Sequence, residues 1–154
     1  MKQSKFSPLT AISPIDGRYR NNVEELSEYS SEYAVIKYRT DIEIKYLIAL
    51  SKIGVIRKIT KAEEKILEKI IENFNLDEAE KIKKIESTTK HDVKAIEYYL
   101  KDKLSKNSLF DILDFIHFGL TSEDINNITI RLMLRDAIEI VILKNLQELN
   151  REIL

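Results

Sequence analysis

Apolar residues recur along this chain at helical spacing. In the stretch 31–53, Ala34, Tyr38, Ile42 and Leu47 form a stripe that Ile44 and Ile48 broaden, so a long helix is predicted there. Gly54 is the natural stop. Thr60 and Glu63 have the spacing of a capping box, and Ile66, Ile70, Ile71 and Phe74 follow it as the apolar face of a second helix. A short charged helix is predicted over about 77–85, and another over 93–104. The polar stretch 105–108 then opens an apolar helix through Phe118, ended by Gly119. Thr121 or Ser122 caps the last helix, with Asp124 in its first turn. Ile125, Ile128, Leu132, Ile138, Ile142, Leu146, Leu149 and Ile153 carry its stripe, and Arg135 fills the one gap. That stripe reaches Leu154 with no capping glycine or proline, which predicts that the sequence stops within an element.

Interruptions of the pattern are few. Three glycines and two prolines punctuate 154 residues, which favours long helices over many short strands. Most of them lie early, where Ser13-Pro14-Ile15-Asp16-Gly17 reads as a tight turn. The fold class expected is all-α: an N-terminal helical domain over 1–111, then the start of a long-helix bundle domain over 112–154. The Lys/Glu-rich middle reads as the wet faces of helices.

Composition removes several function classes. A 44% apolar, 33% charged chain suits a helix-rich protein with a core. A formal net charge of −1 supplies no global field for nucleic acid or an anionic membrane. With no cysteine there is no disulfide, thiolate nucleophile or Cys-based zinc site. His91 and His117 are the only histidines, so no metal site is expected. No apolar run reaches the ~20 residues of a membrane span, and the opening ten residues hold no apolar h-region. The expected location is the cytoplasm.

Three polar breaks carry candidate chemistry. In Asp16-Gly17-Arg18-Tyr19, Arg18 can grip two phosphate or carboxylate oxygens at once, and Tyr19 adds a hydroxyl and a flat face. The bland alternative is a turn with an exposed arginine. In Thr88-Thr89-Lys90-His91-Asp92, His91 can move protons or donate to an anion, with Lys90 and Asp92 beside it and two hydroxyls as further donors. The alternative is a helix cap in which Asp92 satisfies free N–H groups. In Thr121-Ser122-Glu123-Asp124, free N–H groups and two hydroxyls at a helix start suit an anion. The alternative is a capping box, with Asp124 competing for the same donors. His117, placed in an apolar helix, reads as structural.

In order and spacing, Ser13-Pro14-Ile15-Asp16-Gly17-Arg18-Tyr19, then the stretch from Thr88-Thr89-Lys90-His91-Asp92-Val93 to Tyr98, then the stretch from Phe115-Ile116-His117-Phe118-Gly119-Leu120-Thr121-Ser122 to Asn127 resemble the adenylosuccinate lyases. That family belongs to the fumarase/aspartase superfamily. The resemblance implies elimination of fumarate from adenylosuccinate, leaving AMP, and from the succinylated aminoimidazole carboxamide ribotide. It implies no cofactor and a homotetramer. Arg18 and Tyr19 match the pair at the phosphate end of the nucleotide. Lys90, His91 and Asp92 match the central substrate-binding stretch, with His91 a possible contributor to catalysis. The related branch often has asparagine at the position of Lys90, which leaves that side chain's role open. Thr121 and Ser122 match the receivers of the succinyl carboxylate. The family's later general-acid histidine and its Gly-Ser-Ser-x-Met-Pro-x-Lys-x-Asn-Pro serine loop do not occur in residues 1–154, so these residues alone are expected to be inactive. A sister enzyme such as argininosuccinate lyase, or a non-catalytic helical interaction module, is the alternative.

Overall fold

A computed structural model describes residues 7–154, so the reading of the opening residues falls largely outside the described residues. Among the described residues every regular element is helical. In order they are α1 (Ser27–Ser30), α2 (Glu32–Lys52), α3 (Lys61–Glu72), α4 (Leu76–Thr89), α5 (Asp92–Leu104), α6 (Ser122–Asp136) and α7 (Leu143–Ile153). Short 3-10 turns precede α1, and none of the helices is long and apolar enough to cross a membrane.

α2 organises the rest. Ser31 caps it, its hydroxyl accepting the Ala34 N–H at 3.1 Å, and Gly54 ends it at φ +80°. These bounds agree with the predicted 31–53 to within a residue. Ile36, Ile44, Leu47 and Leu50 enter the core with Leu67 of α3, Ile82 of α4 and Ile96, Leu100 and Leu104 of α5. Burying each such side chain contributes roughly 1.5–3 kcal/mol before chain entropy is counted. α2 also buries Thr40 and Glu43, so it is enclosed on more than its apolar stripe.

The capping box at Thr60 forms as expected: Glu63 accepts the Thr60 N–H at 2.8 Å and Thr60 Oγ1 accepts the Glu63 N–H at 3.3 Å. Arg57 then ties this start to a distant segment. It donates to Glu63 at 2.9 and 3.0 Å, to Asp111 at 2.6 and 2.7 Å, and to the Ser108 carbonyl at 2.8 Å.

Two predicted elements differ. The charged helix expected over 77–85 is longer, running Leu76–Thr89. Ser87, Thr88 and Thr89 are helical because backbone bonds continue without an apolar anchor, down to the Lys90 N–H on Glu86 O at 2.8 Å. The predicted break at 87–92 shrinks to Lys90, left-handed at φ +55°, and the extended His91. The apolar helix expected through Phe118 is instead a 3-10 run, Phe110–Phe115. Leu109, Ile112 and Ile116 are buried, and spacings of three and four residues fit either helix type. Distant anchors decide it: Arg57 holds Asp111, and Tyr46 Oη donates to Phe118 O at 2.8 Å.

Beyond α6 the helix continues through a π-helical segment, Ala137–Ile142, into α7. α6 and the π segment turn Ile125, Thr129, Ala137 and Val141 inward. Most of the predicted stripe faces out: Ile128, Leu146 and Leu149 are each about half exposed.

The Arg57–Glu63 contact makes a pH prediction. Hydrogen bonding to Arg57 holds the Glu63 carboxyl at about 2, below its ordinary 4.5. A carboxyl depressed on folding stabilises the fold fully above its ordinary value and loses that contribution as pH falls toward the folded one. Glu63→Gln keeps the capping-box amide and removes the charge. Its Tm deficit against the parent is therefore expected to be largest above pH 4.5 and to vanish toward pH 2; a deficit independent of pH contradicts the assignment.

Candidate functional site

The first candidate segment is a locally wired turn. Ser13 Oγ accepts the Ile15 N–H at 3.2 Å, and Pro14 O accepts the N–H groups of Gly17 and Tyr19 at 3.3 and 2.9 Å. Gly17 is required by crowding: a Cβ there would lie 2.7 Å from Pro8 O and 2.8 Å from Ala11 Cβ. Asp16 is taken by Arg20. Arg18 stays exposed, its guanidinium 5.6 Å from the centroid of the Tyr19 ring.

The second segment is a helix-to-helix turn. Thr89 is used to hold it, its hydroxyl donating to His91 O at 3.2 Å and accepting the His91 N–H at 3.4 Å. It is therefore not the spare donor expected from sequence. Lys90 is exposed at the left-handed cap. His91, rather than Asp92, is the N-cap of α5: its Nδ1 accepts the Lys94 N–H at 3.2 Å. That geometry assigns the proton of the neutral ring to Nε2, so the half-exposed imidazole presents a donor. Asp92 has both oxygens engaged, Oδ1 by the Val93 N–H at 2.8 Å and Oδ2 by Arg39 at 2.7 Å. Burial works to raise its carboxyl, but the Val93 amide and the Arg39 charge outweigh that and hold it below the usual range.

The third segment departs from the expected apolar helix at its start. His117 lies in no helix; it sits at φ +62°, a conformation uncommon outside glycine. Its Nδ1 is 2.6 Å from Oε1 of Glu43, which is 1% exposed. Burial pushes the Glu43 carboxyl up, and the contact with His117 opposes it. Four residues on, Thr121 starts α6, and the capping arrangement expected as the alternative is present. The Thr121 N–H and hydroxyl donate to Asp124 Oδ2 at 2.7 and 2.8 Å, which holds the Asp124 carboxyl low. Ser122, partly buried, follows at the first helical position.

Arg39 of α2 brings the second and third segments together. Its Nη1 donates to Asp92 Oδ2 and its Nη2 to Asn126 Oδ1, both at 2.7 Å. Among the described residues, no hydrogen bond or ion pair joins Arg18 or Tyr19 to either segment. Arg39, Glu43 and Asn126 carry no role in the sequence reading. A signal existed for Glu43, a charge between Ile42 and Ile44 in an apolar run. None existed for Arg39, whose partners lie 53 and 87 positions away.

What these segments offer is donors: His91 Nε2, the Arg18 guanidinium, the Ser122 hydroxyl and the first-turn N–H groups of α6. The nearby carboxylates Asp92 and Asp124 are already engaged. Such a set is chemically suited to anions. Among the described residues no group of three or more His, Asp or Glu side chains is placed to hold a metal ion.

Residues 17–154 match a protein family described as lyase. The chain is 47% identical over 150 residues to the adenylosuccinate lyase of Dictyostelium discoideum, covering 94% of this chain and 32% of that protein. It is 48% identical over 148 residues to the adenylosuccinate lyase of Legionella pneumophila strain Corby, with the same two coverages. Against the adenylosuccinate lyase of Escherichia coli K12 it is 43% identical over 143 residues, or 90% of this chain and 31% of that protein. The chain thus spans about a third of the length of these curated relatives.

The double duty of His91 separates by substitution. His91→Ala removes the cap and is expected to cost about 0.5–2 kcal/mol of unfolding free energy, whereas His91→Asn, which caps well, should lose much less. Denaturant unfolding checks this, and equal losses in the two variants contradict the capping role.

Proposed function

Because this chain belongs to the lyase family, we propose that it is the N-terminal part of an adenylosuccinate lyase and supplies the anion-holding portion of the active site. The full-length protein eliminates fumarate from adenylosuccinate, leaving AMP, and from the succinylated aminoimidazole carboxamide ribotide. The observation that carries this reading is that Arg39 holds Asp92 and Asn126 on one guanidinium, which draws the second and third motif segments together.

In the proposed reaction, Arg18 and Tyr19 hold the nucleotide phosphate. His91 donates through Nε2 to the substrate, and Lys90 adds positive charge at the exposed turn. Asp92 serves as scaffold, since both its oxygens are occupied. Thr121 and Ser122 receive the succinyl carboxylate at the start of α6, the Thr121 hydroxyl turning from Asp124 to the substrate as it binds. Removing the proton beside a carboxylate builds negative charge on it, so donors fixed around that carboxylate strengthen toward the transition state. The acid and base lie outside residues 1–154. The nucleotide and fumarate are the only small-molecule partners, with no cofactor required, and the enzyme works in the cytoplasm.

Residues 112–154 form the start of a central bundle domain, after a helical domain over 1–111. The half-exposed Leu146 and Leu149 then support a homotetramer whose long helices cover the apolar face of α6 and α7.

Fumarate release from adenylosuccinate, followed by absorbance, tests the proposal. The full-length gene product is expected to turn over, and residues 1–154 alone are not. His91→Asn in the full-length protein should lower kcat/KM by about 100-fold or more. A full-length protein that binds neither AMP nor adenylosuccinate would sink the reading, and so would turnover by residues 1–154 at a modest fraction of the full-length rate.

A further inference from the structure

Arg39 is an odd residue to keep for stability alone. Its side chain is 12% exposed, while its partner Asp92 is 46% exposed and solvated. Its Nε–H is buried with no hydrogen-bond partner. Burying a guanidinium costs desolvation, and an unpaired buried N–H adds to that cost, so part of what its contacts with Asp92 and Asn126 contribute is offset.

What no apolar residue or lysine supplies is the fork. A planar guanidinium presents two N–H donors in fixed relation. Here one prong takes Asp92 Oδ2 and the other Asn126 Oδ1, each at 2.7 Å. Asp92 directly follows His91, the cap of α5. Asn126 lies one helical turn beyond Ser122 in α6. A single rigid group therefore sets the separation of two donor-bearing helix starts. One turn further along α2, Glu43 fixes His117, four residues before Thr121. The stretch from His117 to Asn126 is thus held by α2 at both ends.

We propose that Arg39 is a positioning residue: its fork sets the distance between the His91 turn and the Thr121–Ser122 helix start, so that one substrate can engage both. It touches no reacting atom and acts through Asp92 and Asn126. This inference rests on the lyase reading of the same segments.

The test uses the full-length gene product with Arg39→Lys, which keeps the charge and loses the fork, and Arg39→Met, which keeps the bulk. Both are expected to lower kcat/KM for adenylosuccinate about 10- to 100-fold, since a misplacement of about 1 Å is enough. The loss should fall mainly on kcat. Inhibition by AMP, which lacks the succinyl group, should stay within about twofold of the parent because Arg39 does not act on the phosphate end. The Tm of Arg39→Met should stay close to the parent's, because Asp92 is half-exposed and water replaces the lost contact. Unchanged kcat/KM in both variants overturns the proposal, as does an activity loss that tracks a fall in Tm. Amide exchange reads the same geometry without turnover: in both variants segments 90–95 and 121–127 should loosen together, and unchanged exchange in both segments overturns the positioning role. A parent protein without fumarate release defeats the lyase reading, while the exchange result still decides whether Arg39 couples the two segments.

Discussion

Two charged side chains leave α2 one turn apart and enter the interior, and the arrangement of the candidate site hangs on them. Arg39 grips Asp92 and Asn126, and Glu43 grips His117. Arg39 bonds both the start of α5 and the second turn of α6, so one side chain relates the two helices. Apolar packing is tolerant of small slides, whereas a forked guanidinium with two partners at 2.7 Å is not. The buried Glu43 makes the same point from the other side. Its carboxyl is raised by burial and retained against that cost, with His117 held at a backbone angle that an ordinary residue avoids. Burial costs accepted to fix geometry are expected where geometry serves chemistry.

Local rules were readable from residues alone because their partners sit three or four positions apart. The Thr60–Glu63 box, the Gly54 stop of α2 and the Thr121–Asp124 box all follow from nearest-neighbour chemistry. The three polar segments were visible for the same reason, and their order carried the family resemblance. Distant partners were not. Whether Leu109, Ile112 and Ile116 belong to an α or a 3-10 helix depends on Arg57 holding Asp111, 54 positions away. Periodicity could not anticipate that. Nor could it anticipate that α4 runs on to Thr89, since nothing apolar marks its last turn. Arg39 is the sharpest case, because a lone arginine in a helix reads as a wet face until its partners are seen.

The capping and anion-holding readings of these segments turn out to be compatible. His91 caps α5 with Nδ1 and leaves Nε2 available as a donor. Thr121 is engaged by Asp124, yet Ser122 and the first-turn amides of α6 follow it. The carboxylates that could have served as proton acceptors are committed to holding the scaffold. In the proposed lyase this divides the labour: residues 1–154 hold and orient the anionic ends of the substrate, and proton transfer comes from elsewhere in the assembled enzyme. The outward apolar face of α6 and α7 is where the proposal places the neighbouring helices.

Where a substrate's charges sit is decided by a structure of the full-length protein with AMP and fumarate bound. The expected complex has a fumarate carboxylate within hydrogen-bonding distance of Thr121 and Ser122, His91 Nε2 facing the ligand, and the AMP phosphate against Arg18 and Tyr19. Both ligands bound away from these three segments would contradict it.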